Sequence, residues 1–495
     1  MPMVINTNIA SISTQRNLYN TTSMLNQSIQ RLSSGKRINS AADDAAGLAI
    51  AERMTTQIRG LDQAVQNASN AVSLAQTAEG ALGTITESLQ RIRELALQSA
   101  NDVNSAADRV ALNQEATQLL SEIDRTATQT TYNGRVLLDG TFTAQQFQIG
   151  AQANQTVAVT LGSARLSTLG VNTVTSVGGA GTVEAAIASA AALPAANGLT
   201  AHNLTVQGST GTGNVILAAG MTAQQVAQQI NTVSNTTGVT ATSQTIVTLS
   251  VVSNIGTIAF DLHGSNAAAS PVRITAAVAS VANLQSIADA INLKSSQTGI
   301  TASAAGGSTV VLTSNDGYDI GIANYANTST AGNQTAQFTG QSGAAVTLTE
   351  GVNDSSRAGG RVTFNSADGF NVTNGGNTTL INNTGLAGAL SALATVDLST
   401  SANSNAAINV IDGALQQLNS QRAGLGATQK RVTQTISNLQ NISENMQAAR
   451  SRLVDTDFAA ETSKLTRAQI LQQAGTAMLA QANAQPNQVL SLLRA

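Results

Sequence analysis

The side chains able to do chemistry are few and scattered. The 495-residue chain holds two histidines, His202 and His263, and no cysteine or tryptophan. Without thiols there are no disulfide frameworks and no thiolate metal sites. Neither histidine has a second ligand near it in sequence, so both read as surface or turn residues rather than as a metal centre. Asp43-Asp44 suggests a pair of carboxylates, but adjacent residues on a helix project in different directions, and capping or a contact with another chain is the expected role. No His-Glu-x-x-His run occurs. The expectation is a chain with no catalytic residues, no cofactor and no metal, and hence not an enzyme.

Charge and aromatic content narrow the class further. The net charge is −3, charged residues make up 10% of the chain and aromatics 2%. That leaves neither the basic footprint nor the rings that nucleic-acid binding uses. No segment carries the roughly eighteen consecutive apolar residues of a membrane span. Residues 1–10 lack the basic start and apolar run of a cleaved leader. Taken alone, these features predict a cytoplasmic structural or binding protein.

The elements that must position these residues are long helices at the two ends. Ile408, Ile411, Leu415, Leu418, Leu425, Val432, Ile436, Leu439, Met446 and Leu453 follow alternating three- and four-residue steps, with Arg422, Gln429, Ser443 and Arg450 on the remaining rungs. A 3.5-residue period held this long predicts a coiled-coil helix of about 70 Å. One narrow stripe cannot bury itself, so it needs a partner in this chain or in a neighbouring copy.

A second long seam runs through residues 42–99, with Ile58, Leu61, Val65, Ala68, Val72, Ala75, Leu82, Leu89 and Ile92 on one face. It is the natural mate of the first. Before it, residues 5–33 form an amphipathic segment with Ile5, Ile9, Ile12, Leu18, Leu25, Ile29 and Leu32 at helical spacings, ended by Gly35. Ser40 is the expected cap of the second helix, with Asp43 three residues on. Ser105 and Asp108 open a third helix, with Leu112, Ala116, Leu119 and Ile123 inward, ending near Thr128. After residue 455 another helical face carries Leu465, Ile470, Leu471, Ala474, Ala477 and Met478, and Pro486 marks a kink or restart. Met24, Met54, Met446 and Met478 sit on these seams and read as core.

Between the helices the pattern becomes β-like. Asn133-Gly134 is a hairpin signal, followed by strands near Phe147 and Val157. From about residue 173 to 400 the composition shifts to Gly, Ala, Ser, Thr and Asn with β-branched runs. This insertion contains a duplication: Gln224, Val226, Ala227, Ile230 and Asn231 recur 61 residues on as Gln285, Ile287, Ala288, Ile291 and Asn292. Thr237-Gly238-Val239-Thr240-Ala241 likewise recurs as Thr298-Gly299-Ile300-Thr301-Ala302. Each copy predicts a short helix, a turn and two strands. A further hairpin is expected at 360–364 and 370–373, turning at Asp368-Gly369. The fold class is therefore mainly α at the ends, as long antiparallel coiled-coil helices with a small β-hairpin region, plus a β-rich α+β central insertion.

Three stretches carry a family resemblance. They are Leu32-Ser33-Ser34-Gly35-Lys36-Arg37-Ile38-Asn39-Ser40-Ala41-Ala42-Asp43-Asp44-Ala45-Ala46-Gly47-Leu48-Ala49-Ile50, then Gln90-Arg91-Ile92-Arg93-Glu94-Leu95-Ala96, and the terminal Leu492-Leu493-Arg494. The ends of the chain, roughly 1–175 and 400–495, closely resemble bacterial flagellin. The duplication also resembles a repeat in the variable region of many flagellins.

The resemblance implies three parts. Residues 1–42 with 456–495 form an inner coiled coil, 43–175 with 400–455 a helical rod with a small β region, and 176–399 an outward variable domain. It implies a structural subunit that polymerises with itself into a hollow helical flagellar filament for motility, the ladder from Ile408 to Leu453 being the polymerisation seam. The alternatives are a hook-filament junction protein sharing the terminal helices, or an adhesin carried on a flagellin-like stalk. It further implies type III export in the unfolded state without a leader, and so an extracellular location. The implied partners are flagellar hook-associated and cap proteins, an export chaperone covering the helix around 465–493, and a vertebrate Toll-like receptor at Gln90, Arg91, Leu95 and Glu115. Neither nucleic acid nor membrane is a partner.

Overall fold

A computed structural model describes residues 7–493 apart from 102, 177–181, 267–269, 306, 330–331 and 382–384. Ile5 and Arg494 lie outside the described residues. Helix α1 (Ile9–Ser34) starts where the Asn8 side chain accepts a hydrogen bond from the Ser11 amide, and it ends at Gly35, whose φ of +68° is the left-handed stop a glycine supplies. Helix α2 (Ala45–Ser99) begins later than Ser40 predicts. Asp43 Oδ2 accepts from the backbone amides of Asn39 (3.1 Å) and Ser40 (3.0 Å), which closes a separate turn. The helix cap is Asp44 instead, whose Oδ1 accepts from the Gly47 amide at 2.8 Å.

Helix α3 (Ala106–Gln129) opens with the expected Ser105/Asp108 capping box. Strands β1 (Thr131–Tyr132) and β2 (Arg135–Val136) flank Asn133 and Gly134, both at positive φ, and β3 (Gln145–Gln148) pairs antiparallel with β4 (Thr156–Val159). The central region then runs β5 (Gly170–Thr175), β6 (His202–Gln207), β7 (Thr212–Leu217), α4 (Ala223–Thr232), α5 (Ser234–Thr237), β8 (Thr240–Ser250), β9 (Gly256–His263) and β10 (Val272–Val278). It continues through α6 (Gln285–Asn292), α7 (Ser295–Thr298), β11 (Thr301–Ala305), β12 (Thr309–Ser314), β13 (Ile320–Asn327), β14 (Thr335–Thr339) and β15 (Val346–Thr349). It closes with β16 (Ser356–Ala358), β17 (Arg361–Ser366), β18 (Asn371–Thr373), β19 (Gly385–Ala387) and β20 (Ala389–Ala392). Two long helices follow, α8 (Ser401–Val454) and α9 (Phe458–Leu493), the latter one element through Pro486 rather than a restart.

The chain divides into two compact units. One comprises Met1–Thr77, Thr143–Thr160 and Leu425–Ala495; the other comprises Ala78–Phe142 and Leu161–Gly424. In the second unit, strands order as β10-β9-β13-β16, as β11-β12-β8-β17-β5-β20 with β14 and β15 branching from β8, and as β19-β18-β6-β7. One core gathers Phe260, Ile274, Ile287, Ile300, Tyr325 and Phe338, and another gathers Leu204, Val215, Val226, Ile230, Phe364 and Val372.

Each core is built around the helix of one copy, α6 for the core of Phe260 and α4 for that of Leu204, although Val247 and Leu249 of β8 join the α6 core. Each copy is larger than the sequence pattern suggests. A hairpin precedes each helix: β6–β7 before α4, and β9–β10 before α6. The repeated asparagines explain their own recurrence. Asn231 donates to the Ala241 carbonyl (3.0 Å) and accepts from its amide (2.7 Å), and Asn292 does the same to Ala302 at 2.8 Å both ways. Each side chain thus stands in for a missing strand partner. The two strands expected after the helix occur in the second copy only. There Gly307, at φ +80°, turns the chain, whereas the first copy continues as the single strand β8.

The hairpin expected around Asp368-Gly369 does not form. Both strands exist, but β17 pairs with β8 and β5 while β18 pairs with β6 and β19. Asp368 accepts from the Ser209 hydroxyl at 2.8 Å, so the turn hands the chain from one sheet to the next instead of folding it back.

Candidate assembly surfaces

In the first unit α1 and α9 lie antiparallel. The Asn8 side chain donates to the Ala482 carbonyl (2.8 Å), and the Ser11 hydroxyl meets Asn483 Oδ1 (2.7 Å) near one end. The Ser28 hydroxyl donates to Glu461 Oε1 (2.8 Å) near the other. Small residues make this seam: Ser11, Thr21 and Ser28 are buried on α1, Ala468 and Ala482 on α9. Leu18, Leu25 and Leu32 are half-buried beside them. A Cβ on Gly475 would stand 3.2 Å from Leu18 Cδ1, so a side chain there would press on Leu18 and require it to shift.

Glu461, only 4% exposed, is the charged member of this seam. Burial pushes its pKa up, but hydrogen bonds from Ser28 and Lys464 and the charge of Arg31 outweigh that and hold it below the ordinary value. Sequence reading missed it, although its four-residue step to Leu465 puts it on the same ladder.

Most of the larger apolar side chains expected inside this pair are outside it. Ile9, Ile12, Met24 and Ile29 on α1 and Ile470, Leu471 and Met478 on α9 are exposed, Ile9 at 67% and Met478 at 60%, and so are Tyr19 and Phe458, which the sequence pattern assigned to neither face. Ala474 and Ala477 are exposed as well. This corrects the inward face expected for both helices and the core assignment of Met24 and Met478. The physical reason is geometric: two helices share one narrow line of contact, and close approach selects the small residues for it.

The ladder on α8 finds its mate in the same chain. Ile411, Leu418, Leu425, Val432 and Leu439 are buried, while Ile408, Leu415, Ile436, Met446 and Leu453 are half-buried. In the first unit Leu439 packs with Leu61 and Ala64, flanked by Val65 and Met446. The Ser443 hydroxyl donates to Asp62 (3.1 Å) and Arg450 to Thr55 (3.4 Å), equal steps on two antiparallel helices. In the second unit Arg93 grips Asp412 through Nε (2.6 Å) and Nη2 (3.3 Å).

The positions assigned to receptor contact separate into two groups. Gln90, Arg91 and Glu115 are exposed, and Arg91 forks onto Glu115 Oε1 through Nε (3.0 Å) and Nη2 (2.8 Å) while Nη1 reaches Glu94 (3.1 Å). Leu95 is 1% exposed and lies beneath the surface. The histidines are apart. His202 opens β6 with Nδ1 2.8 Å from the Thr200 carbonyl oxygen, and His263 is buried at the end of β9, where burial and the nearby Arg357 lower its pKa. Among the described residues no three His, Cys, Asp or Glu side chains gather as a metal site, and no helix is long and apolar enough to cross a membrane.

Comparison with known families agrees with this layout. The bacterial flagellin N-terminal helical region matches residues 5–143, and the C-terminal helical region matches 408–493. B-type flagellin of Pseudomonas aeruginosa is 42% identical over 504 aligned residues, covering 100% of both chains. The chain belongs to the bacterial flagellin family. As a flagellin it is a structural subunit of the flagellar filament, and its flagellin-named relatives favour that role over the junction-protein alternative. Flagellin A of Vibrio cholerae is 34% identical, again over 100% of both chains. The flagellin hook IN motif matches 203–255 and 257–316, one copy for each half of the duplication, with the leading hairpins included. Among solved structures, FliC from Burkholderia pseudomallei aligns at 22% identity over 73% of this chain and 99% of that one, with a TM-score of 0.31. The flagellar junction protein FlgL from Legionella pneumophila aligns at 15% identity over 82% and 98%, with a TM-score of 0.31.

Proposed function

We propose that copies of this flagellin join through the outer sides of α1 and α9. The observation that carries this is the set of large apolar side chains left uncovered there, from Ile9 to Ile29 and from Phe458 to Met478, around a seam sealed by Ser, Thr and Ala. Apolar area of this kind is stabilised once neighbouring chains cover it. In this reading 1–42 with 456–495 form the inner core, 43–175 with 400–455 the rod, and 176–399 the outward domain. The ladder from Ile408 to Leu453 supports polymerisation by holding the rod together, and its half-buried members complete their burial against adjoining copies.

The subunit acts as material of the filament, without catalysis. It leaves the cell unfolded through the type III route, with a chaperone over the α9 region, and meets hook-associated and cap proteins outside. Gln90, Arg91 and Glu115 form the part of the receptor-contact set open to a Toll-like receptor, with Leu95 supporting them from below. The test is seeded polymerisation of the purified chain, followed by electron microscopy, with Ile12→Asp and Met478→Asp. Both variants should melt like the parent as isolated chains and give no filaments. Normal filaments from both would overturn the proposal.

A further inference from the structure

The sulfur chemistry of this chain rests on methionine alone, since it has no cysteine. Of the seven methionines, Met1 and Met3 lie outside the described residues, and the others fall into two groups. Met54, Met221 and Met446 are half-buried. Met446 packs beside Leu61, Ala64 and Leu439, and the Met221 sulfur accepts a hydrogen bond from the Ala218 amide at 3.1 Å, which engages one of its lone pairs. Met24 and Met478, by contrast, are 52% and 60% exposed. One stands on α1 and the other on α9, each on the outer side, and neither belongs to the Ser, Thr and Ala seam that holds the two helices together.

We propose that Met24 and Met478 are modification sites for a peroxide-class oxidant, and that their conversion to methionine sulfoxide blocks the joining of copies while leaving the single chain folded. A sulfur lone pair attacks one oxygen of hydrogen peroxide, the O–O bond breaks and an S–O bond forms. The sulfur is oxidised by two electrons, and the other oxygen leaves as water. A soft apolar thioether thereby becomes a polar, strongly hydrated acceptor. On the isolated chain that acceptor stays in water, whereas a neighbouring copy packed over it would bury it without a donor. This rests on the outer sides of α1 and α9 being the joining surface: subunits are then open to oxidation before assembly and shielded after it.

The test treats the purified chain with graded hydrogen peroxide before seeding. Peptide mass mapping should find an added oxygen on Met24 and Met478 at lower doses than on Met54, Met221 and Met446. Melting of the isolated chain should not change, while the concentration needed for seeded elongation should rise about tenfold or more. Methionine sulfoxide reductases A and B with a thiol reductant, which has no disulfide to act on in this chain, should restore elongation. The Met24→Leu/Met478→Leu chain, compared with its own untreated yield, should lose nothing on the same treatment. Intact filaments should keep both thioethers at a dose that oxidises the isolated chain. Normal elongation of a parent chain oxidised at both positions, or an equal loss in the double variant, would overturn the redox control. If the double variant does not assemble untreated, the parent decides: elongation must fall with the fraction oxidised at Met24 and Met478, and a loss that follows another methionine rejects the assignment. Ile12→Asp adds no thioether chemistry and separates this from the joining surface itself. No filaments from Ile12→Asp beside normal assembly of oxidised parent would reject the redox control alone, whereas normal filaments from Ile12→Asp would reject the surface on which it rests.

Discussion

The terminal helix pair and the central β modules solve burial in opposite ways. In the modules Phe260, Phe338, Phe364 and Tyr325 are each under 2% exposed, enclosed by sheets and short helices of the same chain. In the α1–α9 pair, serine, threonine and alanine occupy the seam while isoleucine, methionine and phenylalanine face outward. The modules are complete within one chain. The helix pair leaves these large apolar side chains uncovered in the single chain.

The contrast can be broken most forcefully at the cores. Leu439→Asp would leave a charge against Leu61 and Ala64, costing about 3–5 kcal/mol, which urea unfolding of the isolated chain measures. Phe260→Ala should cost a similar ~3–5 kcal/mol. Ile12→Ala, by contrast, should change the isolated chain by less than about 0.5 kcal/mol and weaken filaments instead. Equal losses for Phe260→Ala and Ile12→Ala in the isolated chain would erase the distinction.

A smaller effect compares the two repeats. Asn231→Ala strands a part-buried backbone amide and carbonyl and should cost about 1–3 kcal/mol, and Asn292→Ala, whose two bonds are exposed, about 0.5–1.5 kcal/mol in the same unfolding assay. A loss confined to one would mean that the copies do not share the clamp.

Acid should move the two regions in opposite directions. The pKa of Glu461 is depressed below its ordinary 4.5, so its contribution is present above that value and is lost as pH falls through the lower, folded-state pKa. Asp319 is pushed up from 3.8 to about 6, by burial first, against Asn197 and Arg357. Its neutral form is the one the fold favours, so its contribution is fully present below 3.8 and is lost as pH rises through about 6. Hydrogen exchange from pH 7 downward should therefore show the modules gaining protection first and the α1–α9 pair losing it at lower pH. Parallel changes in both would contradict these assignments. The smallest effect is expected from Arg91→Ala, since an exposed ion pair on a helix surface contributes little. Melting of the isolated chain should be unchanged, and a marked drop would show that the Arg91–Glu115 pair is structural.

Periodicity made the long helices legible because a 3.5-residue ladder such as Ile411 to Leu439 survives any choice of partner. The Ser105/Asp108 box and the Asn133-Gly134 turn were legible because their chemistry is local. What failed was the direction of faces. Ile9, Ile12 and Ile470 have the spacing of buried residues and are exposed in the single chain, because the narrow contact line between α1 and α9 is filled by small residues. The strands at 361–366 and 371–373 were found while their pairing was not, since Asp368-Gly369 fits a turn into another sheet as well as a hairpin.

The sequence by itself determined the long helices, the Ser105/Asp108 cap, the duplication and the family, all of which rest on neighbours along the chain. Tertiary structure decided which strands share a sheet, that Asn231 and Asn292 clamp strands ten residues away, and which side of α1 and α9 meets the other. Those choices depend on what stands opposite each residue in space. Along a helix, the same apolar spacing serves an intrachain seam and a surface awaiting the next subunit equally well.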